Sequence, residues 1–283
     1  MNIYIVIPAH NEETSIGLTL ESLTSQTLLP KQVVVVNDNS TDATQSIIES
    51  FVKTHDWISI VNMTSSNKHL PGTKIINAFY KGYDTLDENY DAICKFDADL
   101  IFPPNYLEVL SNHFGNDKKT GMAAGYCYIE QNNDWVLESI TGKDHIRGAL
   151  KMYSKQCFQD IGKLKRSMGW DTIDELLAKY HGWKLHLDKT LKVKHLKPTG
   201  ASYNKTAKYY QGEAMYKMRY GFPLTFLSAL KMGLKKRSLS YFIDYIVGYF
   251  KAVIKKPERL VTKDQGNFIR NLRWQGILKK IKG

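Results

Sequence analysis

The sequence contains only three cysteines, Cys94, Cys127 and Cys157, and they lie far apart without a C-x-x-C spacing. Such cysteines predict neither a disulfide framework nor a zinc site, and they favour the reducing cytoplasm. No basic segment of the kind that opens a signal peptide precedes the first apolar run. The longest later apolar run, Tyr241 to Ile254, contains charged residues and is shorter than the ~20 residues of a spanning helix. We therefore expect no transmembrane helix.

The dinucleotide-binding pattern G-x-G-x-x-G is also missing. The first apolar run is followed instead by Pro8-Ala9-His10-Asn11-Glu12. This segment argues against an NAD-dependent dehydrogenase, which needs glycines at that turn. Its acidic character also disfavours a sugar nucleotidyltransferase, which would hold a triphosphate on a Gly-rich, basic loop.

Short β-branched runs alternate with helical patterns along the first hundred residues. The predicted strands are Ile3–Ile7, Val33–Val36, Ile58–Val61 and Ala92–Phe96. This alternation predicts an α/β fold with a doubly wound, mostly parallel sheet. Ligands of such sheets bind at the carboxyl ends of the strands.

Polar residues stand at those carboxyl ends, with Asn11 and Glu12 after the first strand, Asp38 after the second, and Asp97 and Asp99 after the fourth. Carboxylates of this kind suit Mg²⁺ or Mn²⁺, which in turn bridge a diphosphate. Taken alone, an Asp-x-Asp pair is more typical of a turn than of a metal site. Alternation would point the two carboxylates to opposite faces unless the chain turns there.

Together, the segments 5–13 (IVIPAHNEE), 34–42 (VVVNDNSTD) and 95–99 (KFDAD) resemble the family 2 inverting glycosyltransferases of the GT-A fold. The resemblance covers about residues 2 to 200. It implies a Rossmann-like catalytic domain that binds a UDP- or GDP-linked sugar. It also implies transfer of that sugar to an acceptor hydroxyl with inversion, assisted by Mn²⁺ or Mg²⁺.

The resemblance implies a role for several residues in donor binding. Pro8, Asn11 and Glu12 match the loop that lines the nucleotide pocket, and Asp38 matches the acid that reads the base. Lys74 belongs to a segment that resembles the Gly-rich stretch beside the donor. A solvated lysine at the start of a helix is an equal alternative for Lys74.

Metal binding is implied for three residues. Asp97 faces the ribose or sugar beside the metal, and Asp99 holds the metal in the family pattern. His195 stands where some relatives have a histidine that completes the metal site. A lone histidine is often structural, so that alternative stays open for His195.

The catalytic base is expected in the helical segment that begins near residue 170. Counting back from Gly182-Trp183, which resembles the family's Gly-aromatic pair, places Asp171 in the position of the base and Asp174 one turn further on. Trp170 replaces the usual Glu. With Glu175, the two aspartates share one helix face. Asp171 is also a candidate N-cap, and Asp174 and Glu175 would then only favour the positive end of the helix dipole.

The C-terminal part, 201–283, is predicted to be a helical extension of the catalytic domain at 1–200. Residues 223–283 hold 14 basic and three acidic residues, so the whole net charge of +11 lies there. In the predicted helix Ser238–Lys256 the less apolar positions form one stripe, and the rest of the surface is apolar or aromatic. These positions are Ser240, Asp244, Gly248, Lys251 and Lys255.

Such a basic, amphipathic helix suits an anionic membrane surface. We expect a peripheral protein on the inner face of the cell membrane that transfers to a lipid-linked acceptor and binds no nucleic acid. Packing of the helix on the catalytic domain or on a second subunit is the alternative. A membrane-surface or nucleic-acid binding protein on a degenerate α/β scaffold would explain the tail but leave the acidic residues without a role.

Overall fold

The structure, a computed structural model, describes residues 1–65, 72–138, 145–197 and 209–282. One mixed sheet forms the centre of this part of the chain. Its strands are β1 (Ile3–Ala9), β2 (Gln32–Asp38), β3 (Ile58–Met63), β4 (Ala92–Phe96), β5 (Leu100–Ile101), β6 (Thr120–Gln131), β7 (Asp134–Leu137), β8 (Leu150–Ser154) and β9 (Lys184–His195).

The strands follow the order β3-β2-β1-β4-β8-β6-β9-β5, with β7 paired to β6. β1 pairs in parallel with both β2 and β4, and β2 pairs in parallel with β3. β8 runs antiparallel between β4 and β6. The predicted α/β fold with a mostly parallel sheet is confirmed. Because the strands from β1 to β4 are parallel, their carboxyl ends lie along one edge of the sheet.

Helices cover the sheet, and the β-branched residues of β1 and β2 are buried between the layers. The helices up to β9 are α1 (Ile16–Thr24), α2 (Thr44–Thr54), α3 (Thr73–Tyr83), α4 (Tyr106–Asn116), α5 (Lys155–Asp160) and α6 (Trp170–Tyr180). The chain leaves β4 after Phe96, turns through Asp97, Ala98 and Asp99, and re-enters the sheet as β5. In an extended strand, alternate side chains would point to opposite faces of the sheet. Because the chain turns here, the carboxylates of Asp97 and Asp99 can face the same site.

The C-terminal part consists of α7 (Tyr210–Lys217), α8 (Gly221–Lys235), α9 (Leu239–Lys255) and α10 (Lys263–Lys282). Residues of this part, among them Met218, Tyr220 and Ile269, belong to the same buried cluster as the sheet. The predicted helical extension is therefore confirmed, and its inner side packs on the catalytic domain. The predicted boundary at 200/201 lies outside the described residues.

Two glycines allow α7 and α9 to cross closely. A Cβ on Gly212 would lie 2.0 Å from the carbonyl oxygen of Tyr245, and a Cβ on Gly248 would lie 2.2 Å from that of Tyr209. Gly248 belongs to the predicted less apolar stripe of α9, but it is buried in this crossing. A small residue at this position of the stripe allows the close helix contact.

The opposite sides of α8 and α9 carry exposed apolar residues. They are Phe222, Phe226, Leu227, Leu230 and Leu234 on α8, and Leu239, Ile243, Phe250, Val253 and Ile254 on α9. We call this surface the α8–α9 apolar face. Among the described residues, no helix is both long enough and apolar enough to cross a membrane.

Candidate active site

The loops after β1 and β2 bind each other at the carboxyl edge of the sheet. Asn11 and Asn39 both adopt left-handed backbone conformations, each with φ 54°, which asparagine tolerates better than most residues. The side-chain oxygen of Asn11 accepts a hydrogen bond from the backbone N–H of Thr41 at 2.8 Å. Asn11 therefore joins the two loops. Pro8 lies just before the first loop, within β1.

Asp38 ends β2 and is 7% exposed. One of its carboxylate oxygens accepts the backbone N–H of Ser65 at 2.8 Å, and its carbonyl oxygen lies 2.6 Å from Nδ1 of His10. Glu12 accepts from the hydroxyl of Ser15 at 2.5 Å and from Nζ of Lys197 at 2.6 Å. The sequence-predicted nucleotide residues thus lie in one connected set of loops, and Lys197 ties that set to the end of β9.

Asp97, Asp99 and His195 come together at the turn after β4. Each offers one ligand atom, and these atoms all lie within 4.8 Å of one another. The short pairing of β5 with the end of β9 places Leu100 opposite His195, which brings the histidine to the Asp-x-Asp turn. Two carboxylate oxygens and one imidazole nitrogen fit a divalent cation such as Mn²⁺ or Mg²⁺.

Each ring nitrogen of His195 lies close to a carboxylate. Its Nε2 lies 3.4 Å from Asp99, and its Nδ1 lies 3.2 Å from a carboxylate oxygen of Glu138. The same oxygen of Glu138 accepts from Nη2 of Arg147 at 2.7 Å. Burial alone would lower the pKa of His195, but the hydrogen bonds to Asp99 and Glu138 outweigh it and raise that pKa to about 9.

Two buried lysines lie beside this cluster. Lys95 and Lys151 are opposite each other in the β4–β8 pairing, and Lys95 forms an ion pair with Asp97. Lys151 binds both carboxylate oxygens of Asp174, at 2.8 and 2.9 Å. The ring of Trp170 lies near both ammonium groups, 5.3 Å from Lys95 and 5.7 Å from Lys151. Such contacts stabilise a buried cation.

Asp171 stands on the first turn of α6 and is 34% exposed at its side chain. His145 lies 3.5 Å from Asp171 and 2.9 Å from Glu175. Burial favours the neutral form of Asp171, but the hydrogen bond to His145 and the charge of Lys151 outweigh it and lower its pKa. Asp171 is therefore an ionised carboxylate with a solvent-accessible side at the candidate site.

Asp174, the second candidate base, is 1% exposed. It is bound by Lys151 and by the hydroxyl of Tyr153 at 2.6 Å, so both of its oxygens are engaged. This geometry favours Asp171 over Asp174 as the group that faces an acceptor. The alternative role of Asp171 as the N-cap is wrong, because Gly169 with φ 76° is the N-cap of α6.

Lys74 lies in the first turn of α3, half-buried. The preceding Gly72 approaches the backbone of Ser167 so closely that a Cβ would lie 2.5 Å from its carbonyl oxygen. This contact joins α3 to the segment before α6. Pro71, which belongs to the predicted donor-side stretch, lies outside the described residues.

The segment 145–148 before β8 was not predicted from the sequence, although it contacts residues beside the candidate base and residues beside the candidate cation site. His145 binds Asp171, Arg147 binds Glu138, and the carbonyl oxygen of Gly148 accepts from Lys95 at 3.2 Å. A Cβ on Gly148 would lie 2.9 Å from the ring of Trp170. The partners lie on other elements of the fold, so no local pattern indicates these contacts.

A wide surface depression of about 610 Å³ lies elsewhere, beside β2 and β3, and Lys31, Trp57 and Thr85 are among its lining residues. None of the candidate site residues lines it. Its position at the start of β2, away from the carboxyl edge, argues against a role in the chemistry of the carboxylate cluster.

Comparison with known proteins agrees with the geometry. A family model described as "Glycosyl transferase family 2" matches residues 4–165, which is more than half of the chain. The match includes Asp38, Asp97 and Asp99 and ends before Asp171 and His195. "Probable glycosyltransferase YdaM" from Bacillus subtilis is 32% identical over 124 residues, which cover 43% of this chain and 28% of the relative. The chain thus spans less than a third of that relative's length.

Solved structures share the fold at low sequence identity. Staphylococcus aureus TarS 1-349 in complex with UDP-GlcNAc has a TM-score of 0.58 and 16% identity, covering 82% of this chain and 67% of that one. The mannosyltransferase PcManGT from Pyrobaculum calidifontis, in complex with GDP-Man and Mn²⁺, has a TM-score of 0.54 and 12% identity, covering 98% and 80%. At such identities the likeness shows the fold alone.

Proposed function

Because the chain belongs to glycosyl transferase family 2, we propose that it transfers a sugar from a nucleoside-diphosphate sugar to an acceptor hydroxyl with inversion, assisted by Mn²⁺ or Mg²⁺. The observation that carries this proposal is the convergence of Asp97, Asp99 and His195 at the turn after β4. The ionised Asp171 stands on the same side of the fold, linked to that turn through Trp170 and Lys95.

The loops after β1 and β2 would bind the nucleotide. Asp38 holds its position at the end of β2 through Ser65 and presents a carboxylate suited to accept hydrogen bonds from a base. Asn11 and Glu12 shape the wall of the pocket through the contacts of the first loop. Similar structures bind UDP-GlcNAc and GDP-Man, which supports a nucleotide-sugar donor without choosing its base.

In the transfer step, the acceptor oxygen attacks the anomeric carbon from the side opposite the diphosphate. The new carbon–oxygen bond forms as the bond to the diphosphate breaks, and the diphosphate leaves with that electron pair. Asp171 takes the proton of the acceptor hydroxyl, and general-base help of this kind contributes ~10²–10⁴-fold. A divalent cation bound by Asp97, Asp99 and His195 would neutralise charge on the departing diphosphate.

The α8–α9 apolar face supports a reaction at the inner face of the cell membrane. A lipid-linked sugar would be the acceptor there. Exposed cations lie at the ends of both helices, including Lys235, Lys236, Arg237, Lys255 and Lys256. An apolar face flanked by cations suits the interface of an anionic bilayer, to which each nearby basic residue contributes about 1 kcal/mol.

A screen of nucleotide-sugars tests the proposed function. UDP- and GDP-linked sugars with Mn²⁺ are added to the protein, and thermal unfolding identifies the donor by the stabilisation that binding produces. Transfer to a lipid-linked or soluble acceptor is then followed by release of nucleoside diphosphate, with the anomeric configuration of the product read by nuclear magnetic resonance. Retention of configuration would contradict the inverting mechanism.

The same screen examines the non-catalytic alternative. A membrane-surface or nucleic-acid binding protein on this scaffold would show no stabilisation by a nucleotide-sugar that depends on Mn²⁺. Binding to RNA would fall steeply with salt and would not depend on metal.

A further inference from the structure

Glu138 is a carboxylate in the interior, 0% exposed at its side chain. It directly follows β7, and its backbone N–H donates to the carbonyl oxygen of Cys127 at 3.0 Å. One of its carboxylate oxygens lies 2.7 Å from Arg147 and 3.2 Å from Nδ1 of His195. A buried carboxylate is stable in such a place only because cationic or N–H groups surround it.

The second nitrogen of the same imidazole ring faces the Asp-x-Asp turn. Nε2 of His195 lies 3.4 Å from Asp99, within the cluster that includes Asp97. The ring therefore stands between two carboxylates, with one nitrogen toward the candidate cation site and the other toward Glu138. A histidine that binds a metal commonly donates its other N–H to a carboxylate, which fixes the tautomer and strengthens the ligand.

We infer that Glu138 is a positioning residue of the cation site. It holds the Nδ1–H of His195 so that Nε2 is directed toward the space shared with Asp97 and Asp99. Arg147 holds Glu138 in turn, so the support extends from β9 through Glu138 to the segment before β8. This inference rests on the metal dependence that is part of the proposed function.

The neighbouring thiol allows a different arrangement of the same residues. Cys127, Glu138 and His195 also have ligand atoms within 4.8 Å of one another. However, Cys127 is a buried thiol, a soft donor, whereas Mg²⁺ and Mn²⁺ prefer oxygen ligands. In addition, the ion pair with Arg147 occupies the carboxylate of Glu138, which makes it less available to bind a metal. The geometry therefore favours one cation site on the Asp99 side of the ring, with Glu138 behind the histidine.

Titration of the full chain with Mn²⁺ in the presence of saturating UDP or GDP, whichever nucleotide the donor screen selects, tests this inference. Free Mn²⁺ is measured by electron paramagnetic resonance for the wild type, Glu138→Gln, His195→Gln and the double variant. Glu130→Gln, at an exposed position of β6, is the matched control. We expect Glu138→Gln to weaken Mn²⁺ binding ~10–100-fold and Glu130→Gln to leave it unchanged. The double variant should bind no more weakly than His195→Gln, because Glu138 acts through the histidine.

Loss of Glu138 leaves the charge of Arg147 buried, so thermal unfolding is recorded for every variant. If Glu138→Gln melts far below the wild type, the comparison is made with Arg147→Met added, which removes the unpaired cation. If Glu138→Gln binds Mn²⁺ like the wild type while His195→Gln binds it more weakly, the inference about Glu138 is wrong but the proposed metal dependence stands. A further loss on adding Glu138→Gln to His195→Gln would also overturn the inference about Glu138. A wild-type protein that binds no Mn²⁺ would overturn the metal dependence and this inference with it.

Discussion

Lys95 and Lys151 lie directly opposite each other on neighbouring strands, and their side chains are 1% and 0% exposed. Like charges in this position destabilise a sheet unless each has its own counter-charge. Lys95 has Asp97 at the Asp-x-Asp turn, and Lys151 has Asp174 on α6. The pair therefore lies between the candidate cation site and the candidate base, with Trp170 beside both cations.

Replacement of Lys151 by methionine should destabilise the fold strongly. Asp174 would be left as a buried carboxylate without its cation, and breaking such a pair costs ~3–5 kcal/mol. Chemical denaturation measures the loss. Lys184→Met, which removes an exposed ion pair with Asp117, is the control and should change stability by less than ~1 kcal/mol. A small effect of Lys151→Met would show that the buried charges are not essential to folding.

Asp171→Asn should retain the fold and lose turnover. The amide keeps the shape of the side chain but has no basicity, so transfer should slow by at least ~10²-fold while donor binding stays near that of the wild type. Asp174→Asn should instead lower the melting temperature, because its carboxylate lies against Lys151 and Tyr153. Normal turnover in Asp171→Asn with a folded but inactive Asp174→Asn would move the base one turn along α6.

His145 should make stability depend on pH. Burial lowers the pKa of His145, but the hydrogen bonds to Asp171 and Glu175 outweigh it, even beside Lys151, and raise that pKa to about 9. The folded state thus binds the proton more tightly than the unfolded state, whose histidine titrates near ~6.5. The stabilisation is fully present below that pH and is lost as pH rises through about 9.

The stability of the wild type relative to His145→Gln measures this contribution. Denaturation at pH 6 to 10 should show the largest difference at the acidic end and a decline toward pH 10. His181→Gln, at an exposed position after α6, should show little pH-dependent difference from the wild type. A difference between the wild type and His145→Gln that stays constant across this range would contradict a charged His145.

The fold was predictable from the sequence where the signal was local. The Val33–Val36 run indicated a buried strand followed by Asp38, and in the structure β2 extends to Asp38 itself. The Asp-x-Asp pair indicated the edge of the sheet at which the candidate site lies. Glu138, His145, Arg147 and the paired lysines were not predictable, because their partners lie on other elements. His195, for example, meets a carboxylate 57 residues away in the chain. Asp171 is not the N-cap, because α6 begins at Trp170 and Gly169, with its left-handed backbone, occupies the N-cap position.

The α8–α9 apolar face should bind anionic vesicles. The triple variant Leu227→Ser, Leu230→Ser and Leu234→Ser removes apolar area from α8 and should reduce co-sedimentation with vesicles that contain phosphatidylglycerol. The double variant Leu18→Ser and Leu29→Ser changes exposed apolar residues of the catalytic domain and should bind like the wild type. Point variants are preferable to a chain that ends near Gly221, because truncation would remove core residues such as Val261 and Ile269.

High salt should release the wild type from these vesicles in part, since the flanking cations are screened. Equal sedimentation of the wild type and the α8 variant would show that this face does not contact lipid. A salt-sensitive change in oligomeric state instead would indicate that a second copy of the chain covers it.

The most direct measurement is transfer from the donor found in the screen, followed by release of nucleoside diphosphate, for the wild type and Asp99→Asn. Wild-type activity should disappear with EDTA and return with Mn²⁺, because the bound cation would offset the charge of the leaving diphosphate. Asp99→Asn should stay folded and inactive at Mn²⁺ concentrations that saturate the wild type. Activity that survives EDTA, or an Asp99→Asn variant with wild-type turnover, would contradict a cation site built on Asp97, Asp99 and His195.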